Sequence, residues 1–191
     1  MITGNTTSTL IIVVILIVVI LGALAVIRRQ QRSKRLQERF GPEYDRVVDE
    51  VGDQSRAEKE LEERVAHVKT LNIRALTADE VNRYSLEWQE TQRRFVDEPL
   101  VALQQADQLI QEVMRIRGYP VDDFEQRAAD ISVHYPELVT DYRGMHRIAV
   151  KDMKEKPTTE DMRQAMVHGR TLFENLIKQD STEEVNQKEK M

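Results

Sequence analysis

Four histidines, at positions 67, 134, 146 and 168, are the side chains best suited to metal or acid–base chemistry in this chain. None stands in a His-Glu-x-x-His arrangement, where two imidazoles one helical turn apart flank a general base. None follows the Glu-x-x-His spacing of carboxylate-bridged metal bundles. Glu63 with His67, and Asp130 with His134, are four residues apart and share a helix face. Two donors without further ligands are an ordinary surface hydrogen bond rather than a metal site. Cysteine is absent, which excludes thiolate ligation, a thiol nucleophile and a disulfide framework. No Gly-x-Ser-x-Gly marks a serine nucleophile. No two glycines lie within nine residues of each other, so no glycine-rich loop is available to cradle a phosphate. Paired carboxylates are abundant, but on charged amphipathic helices they are normally solvated faces. The sequence predicts no catalytic residue, no metal ligand and no cofactor, and a non-enzymatic function.

The densest collection of functional side chain types is Arg115 to Pro136, RIRGYPVDDFEQRAADISVHYP. It predicts a turn, a short helix and a second turn. Arg127, Asp130 and His134 fall on one side of that helix, opposite Phe124, Ala128 and Ile131. Together with Arg117 and Tyr119 they form a candidate recognition surface or ligand-binding notch. The plainer reading is a helix corner: Gly118 and Pro120 make the bend, aromatics fill it, and Asp123–Arg127 and Arg127–Asp130 are local ion pairs. The plainer reading is favoured, because exposed local ion pairs are routine and weak.

The elements around this stretch read as helices. Gly and Pro number only 7 and 5 and aromatics make up 5%, too little punctuation for a sandwich or barrel. Phe40-Gly41-Pro42-Glu43 ends one helix and starts another. Tyr44, Val47, Val48 and Val51 follow at helical spacing, and Gly52-Asp53 dents the pattern. Ala57, Leu61, Val65 and Val68 continue a narrow stripe suited to a hairpin arm or short coiled coil. Leu71 to Leu76 is a connector. Thr77-Ala78-Asp79-Glu80 is a capping box opening a helix with Val81, Tyr84, Trp88 and Phe95 in the core. Asp97 is the expected N-cap of the next helix, with Pro99 in its first turn and a buried side of Leu100, Leu103, Leu109 or Ile110, Val113 and Met114 or Ile116. Gly118 terminates it. Asp122 or Asp123 caps the short helix from Phe124 to about Val133. Pro136 opens a helix burying Leu138, Val139, Tyr142, Met145 and Ala149. After a loop at 154–158, Thr159 caps a last helix with Met162, Met166, Leu172 or Phe173, and Leu176 inside. Residues 179–191 lack any apolar period and are expected to be disordered. The predicted fold is all-α: about six soluble helices in a compact bundle with a protruding N-terminal arm.

Ahead of this body, residues 10–27 read LIIVVILIVVILGALAVI without one charge. As a helix they span about 27 Å, close to the roughly 30 Å hydrocarbon core of a bilayer. A cleaved signal peptide, with Ala23-Leu24-Ala25 as its site, is the main competitor. The long apolar run, the uncharged N-terminus and the arginines that follow at once favour a retained anchor. Asn5-Thr6-Thr7 forms a glycosylation sequon by chance. Gly22 has no small partner four residues away, so the span shows no dimerisation motif. Charge sets the direction. Residues 1–27 carry none; residues 28–40 hold six basic residues against Glu38; with a total of −5, the remaining residues carry −10. The positive-inside rule places residues 1–9 outside and the body in the cytoplasm. Arg28, Arg29, Arg32, Lys34 and Arg35 are candidate contacts to anionic lipid headgroups, making membrane lipids the partner expected for residues 10–35. An acidic body excludes nucleic acid.

Four motifs carry a resemblance: Arg39-Phe40-Gly41-Pro42-Glu43-Tyr44-Asp45; Arg117-Gly118-Tyr119-Pro120; Phe124-Glu125-Gln126-Arg127-Ala128-Ala129-Asp130; and Thr159-Glu160-Asp161-Met162-Arg163-Gln164-Ala165-Met166-Val167-His168. Over roughly residues 35–178 the chain resembles a family of short bacterial proteins with one N-terminal hydrophobic segment, described only as hypothetical, membrane or secreted. The resemblance implies a bacterial plasma-membrane protein and assigns no activity. Gly169, after His168, departs from the family pattern and implies a gap or helix weakness there. The expected organisation is a short outer stub (1–9), a transmembrane helix (10–27), a basic collar (28–40), a helical domain (41–178) and a tail (179–191). The expected function is a single-pass plasma-membrane protein presenting a cytoplasmic interaction module to a protein partner or to itself. The alternatives are a ligand sensor or enzyme with a pocket near residues 117–135, and an extracytoplasmic helical domain.

Overall fold

The computed structural model describes residues 3–150 and 157–178, with the side chains of residues 3–15 and of Val18 outside that description. The chain divides into two units, residues 1–39 and 40–191. The tail at 179–191, and most of the loop expected at 154–158, lie outside the described residues.

The first unit is one helix, α1 (Thr3–Phe40), whose last residue enters the second unit. Leu16, Ile17, Val19, Ile20, Leu21, Leu24, Val26 and Ile27 are 45–60% exposed. Such a spread along successive turns leaves no buried stripe, unlike the single apolar stripe of a helix that packs on a core. Among the described residues no helix is long and apolar enough to cross a membrane. The side chains of residues 10–15 and of Val18 in the expected span lie outside the description. Arg28, Arg29, Lys34 and Arg35 are exposed on α1 and Arg32 is half-buried.

The second unit is all-helical among the described residues: α2 (Pro42–Val51), α3 (Gln54–Thr70), α4 (Ala78–Arg94), α5 (Pro99–Arg117), α6 (Phe124–His134), α7 (Val139–Val150) and α8 (Thr159–Lys178). That is seven helices where about six were expected, because Gly52-Asp53 is a full break. Gly52 takes a left-handed conformation and closes α2 onto the Val48 carbonyl. Asp53 then caps α3 by accepting from the Arg56 amide at 2.8 Å.

α5 is the central helix, packed against α4, α7 and α8. Three neighbours explain its broad apolar surface: Leu109 and Ile110 are both buried, as are Ala102, Leu103, Ala106, Val113 and Met114. Trp88 of α4 stacks on Phe173 of α8 with ring centroids 4.5 Å apart. α2 and α3 pair as a hairpin around Phe40, Tyr44, Val47, Ala57, Leu61 and Val68, a small core separate from the main one. The hairpin is docked rather than protruding: α3 packs on α6, and α6 on α7.

Local signals set most helix ends. The Thr77 hydroxyl and the Glu80 carboxylate complete the capping box, and Asp123 accepts from the Gln126 amide at 2.8 Å. Three starts differ from expectation. Glu98, not Asp97, precedes α5 and provides no side-chain cap, while Pro99 in the first turn removes an amide that would otherwise go unpaired. α7 begins at Val139, after a turn in which the Leu138 amide donates to the Tyr135 carbonyl. Thr158, not Thr159, caps α8: its hydroxyl accepts from the Asp161 amide at 3.1 Å, and the Asp161 carboxylate accepts from its amide at 3.0 Å.

Two glycines are tied to close approaches. Gly169 is no weak point. α8 runs unbroken through it, and a Cβ there would lie 2.4 Å from Met145 Sδ, so its bare backbone lets α7 and α8 close. Gly118 has φ +97°, and a Cβ there would lie 2.4 Å from the Asn72 carbonyl oxygen. It clamps the connector after α3, where the Arg74 amide donates to the Arg117 carbonyl at 2.8 Å. Gly118→Ala is therefore expected to destabilise the protein by about 3 kcal/mol, from backbone strain plus overlap. Gly52→Ala, also at positive φ but with nothing within 4 Å, is expected to lose only about 1 kcal/mol. Thermal unfolding followed by circular dichroism checks this, and equal shifts for the two variants would refute the clamp.

Candidate functional site

Glu43 sits in the first turn of α2, placed there by Pro42 at the helix start. It is fully buried. Arg46, one turn on, grips it with two hydrogen bonds, Nε to Oε2 and Nη2 to Oε1, both 2.8 Å. Arg64 of α3 donates Nη1 to Oε1 at 2.8 Å. Arg143 of α7 brings Nη2 to 3.5 Å from the same oxygen. Each arginine has a second carboxylate: Arg46 reaches Glu50 and Arg64 reaches Glu60, both at 2.5 Å, and Arg143 reaches Glu125. Arg64 also donates to the Ser132 hydroxyl of α6 at 3.4 Å. One carboxylate thus joins α2, α3 and α7, and its arginines extend the network to α6. Burial alone would push the Glu43 carboxyl up. The hydrogen bonds from Arg46 and Arg64, with the charges of Arg46 and Arg143, hold it below its ordinary value of 4.5.

Beside this cluster a groove of about 630 Å³ runs between α2, α3 and the start of α6. Five carboxylates line it (Glu50, Glu60, Glu63, Asp123 and Glu125), together with Arg46, Arg64, His67 and Gln126. Under its wall lies Asp130 of α6, fully buried. Its Oδ1 accepts from Gln126 Nε2 at 2.9 Å and stands 3.7 Å from His67 Nε2. Its Oδ2 has no hydrogen-bond partner, nor has His67 Nε2. Burial holds the Asp130 carboxyl above its ordinary value of 3.8, against the opposing effects of Gln126, His67 and Arg64.

The residues singled out from sequence are divided among separate places. Arg117 is buried and donates Nη1 to the Leu176 carbonyl at 2.6 Å, closing the C-terminal end of α8. The Tyr119 hydroxyl and His134 Nδ1 share a hydrogen bond of 2.8 Å, with Tyr119 buried and His134 exposed. Arg127 is buried, donating Nε to the Tyr142 hydroxyl at 2.8 Å and Nη1 to the Val121 carbonyl at 2.6 Å. Its expected ion pairs with Asp123 and Asp130 are replaced by these bonds: Asp123 turns to the helix amide, and Asp130 to Gln126 and His67. None of the five lines the groove. His67 pairs across helices with Asp130 rather than along α3 with Glu63. The remaining notable pair is His146 Nδ1 and Asp107 Oδ2, 2.9 Å apart, with the His146 ring stacked on Phe124 at 3.7 Å. Among the described residues no group of three or more His, Asp or Glu could hold a metal ion.

Sequence reasoning passed over Glu43, Arg46, Arg64 and Arg143. The Glu43–Arg46 and Glu60–Arg64 spacings were visible as local helix pairs. Their convergence on one buried carboxylate was not.

No protein-family model matches the chain, and no curated protein or solved structure matches it either. The likeness to short bacterial membrane-anchored proteins therefore rests on its four sequence motifs.

The two buried carboxylates make opposite predictions. Glu43 has a lowered folded value, so its stabilisation is full above 4.5 and is lost as pH falls through the lowered value. Glu43→Gln leaves buried arginines undercompensated and is expected to destabilise by about 3 kcal/mol or more at pH 7. In hydrogen exchange, α2 and α3 should lose protection before α5 and α8; uniform loss across all helices would count against a local clasp. Asp130 has a raised folded value, so the folded state binds the extra proton and stability falls as pH rises above 3.8. Asp130→Asn is expected to raise the melting temperature at pH 7 and to bring no gain near pH 4. A lower melting temperature at pH 7 would show that the ionised group stabilises the fold.

Proposed function

We propose that the protein is a single-pass membrane protein of a bacterial plasma membrane, anchored by residues 10–27, that presents a non-enzymatic helical interaction module to the cytoplasm. The observation that carries this reading is the run of exposed apolar side chains on α1 from Leu16 to Ile27. Exposed apolar residues over successive turns demand a cover, and a lipid bilayer is one that suits every face of a helix at once. The sequence adds the uncharged residues 10–15 ahead of them and six basic residues within the twelve that follow. Arg28, Arg29, Arg32, Lys34 and Arg35 are positioned in the chain to meet anionic headgroups at the inner leaflet. The acidic body is repelled by that surface, which favours contact with other proteins over lipid. The groove between the α2–α3 hairpin and α6 offers a concave surface for it.

Fractionation tests the anchor: the protein is expected in the membrane fraction, retained at alkaline pH and released by detergent. A reporter active only in the cytoplasm, fused after Met191, is expected to be active. Replacing Arg28, Arg29, Arg32, Lys34 and Arg35 with Gln is expected to transfer part of the population to an outward reporter. Recovery of the chain as a soluble protein without detergent would overturn the proposal.

A further inference from the structure

We infer that the contact between α3 and α6 is a pH-sensitive catch, fastened in mild acid by one proton held between His67 and Asp130 and loosened in alkaline solution. The inference goes beyond the interaction-module reading and concerns the second unit alone.

The geometry is a pair that lacks one hydrogen bond. Asp130 of α6 is fully buried. Its Oδ1 accepts from Gln126 and stands 3.7 Å from His67 Nε2 of α3, too far for a hydrogen bond. Asp130 Oδ2 and His67 Nε2 are both buried atoms without a hydrogen-bond partner. A buried polar atom left unpaired is unfavourable, more so when it is charged. With the carboxylate ionised and the imidazole neutral, the joint encloses an unmatched negative charge. One added proton removes it, as imidazolium facing carboxylate or as carboxylic acid facing imidazole. The two sites are coupled, so that proton belongs to the pair. Imidazole is the side chain whose ordinary chemistry makes such an exchange near neutral pH.

The other groups around the pair are committed elsewhere. From α3, Arg64 acts on Asp130 through its charge but is bonded to Glu43, Glu60 and Ser132. From α7, Arg143 turns to Glu43 and Glu125, and the Tyr142 hydroxyl takes its bond from Arg127. On α6 itself, Gln126 supplies one neutral donor. Near His67, Glu63 pairs with Lys59 and Glu50 with Arg46, and Asp123 caps α6.

Burial holds the Asp130 carboxyl above 3.8. The docked joint therefore binds the proton more tightly than an open one and loses stability as pH rises through the raised value. The neighbouring Glu43 clasp has the opposite sign and fails as pH falls through a value below 4.5. The hairpin docks best between these limits, acid enough to keep the pair's proton and not acid enough to discharge Glu43.

The test is hydrogen exchange of the full chain in non-ionic detergent at about pH 5 and about pH 8, with rates corrected for the pH dependence of exchange itself. Amides of α3 and α6 are expected to be about tenfold better protected at the lower pH, the equivalent of one unit of proton affinity. Amides of α4, which carries no histidine, are expected to change less than about twofold. Asp130→Asn is expected to abolish the difference by raising protection at the higher pH. His67→Gln, at a half-buried site, is expected to move the midpoint of the change to lower pH, because Asp130 then titrates without its partner. Glu160→Gln, on the exposed start of α8, is expected to leave the difference intact. The inference is overturned if α3 and α6 are equally protected at both pH values, or if α4 shows the same change. It is also overturned if Asp130→Asn keeps the full difference, or if His67→Gln leaves the midpoint where it was. The His67→Gln midpoint decides the matter if Asp130→Asn loses its cooperative unfolding transition.

Discussion

A carboxylate with no access to water must have its charge matched within the protein. Glu43 meets that condition with three arginines from three helices, and much of the second unit's arrangement follows from it. The α2–α3 hairpin has only a small apolar core of its own. Two short helices with one narrow stripe are marginal alone, because ordering them opposes most of what their burial supplies. Arg64 and Arg143, converging on Glu43 from α3 and α7, convert the hairpin from an arm into part of the body. Because Arg64 and Arg143 reach Glu43 from other helices, their directional bonds also fix the rotation of α2. Hydrophobic contact alone would leave that rotation loosely defined.

The same docking explains α6. A helix covered on one side shows one apolar stripe; α6 is covered on two, by α3 and by α7. Phe124, Ala128 and Ile131 serve the main core. Ser132 takes part in the arginine network, and Asp130 faces His67 across the interface with α3. Polar residues on the second buried face are admissible only with partners. Ser132 has Arg64 and the Ala129 carbonyl. Asp130 has partners for one oxygen only.

What the sequence made legible was local. The Thr77–Glu80 capping box, the Gly118 terminus and the Asp123 cap depend on residues within a few positions of each other, and each was readable from spacing. The core face of α4, with Tyr84 and Trp88, was readable from helical period. What escaped depended on residues far apart. Arg143 is 100 positions from Glu43, and no local pattern announces their meeting. Arg127 and Asp130 read as a solvated polar face because the period of α6 carries no sign of Tyr142 on α7, which Arg127 bonds, or of His67 on α3, which Asp130 faces. Gly169 read as a weakness because Met145, which occupies the space its missing side chain leaves, lies on another helix. The groove was invisible for the same reason: its walls come from three helices that only the docking brings together.

Glu43 and Asp130 share a residue chemistry and a neighbourhood, and both are fully buried. One has every charge answered and a lowered proton affinity; the other has an unanswered oxygen and a raised one. Packing constraints do not account for the difference, since Arg64 is near enough to act on both carboxylates yet is committed to Glu43, Glu60 and Ser132. A purely structural residue at position 130 would be better as Asn, which keeps the volume and loses the buried charge.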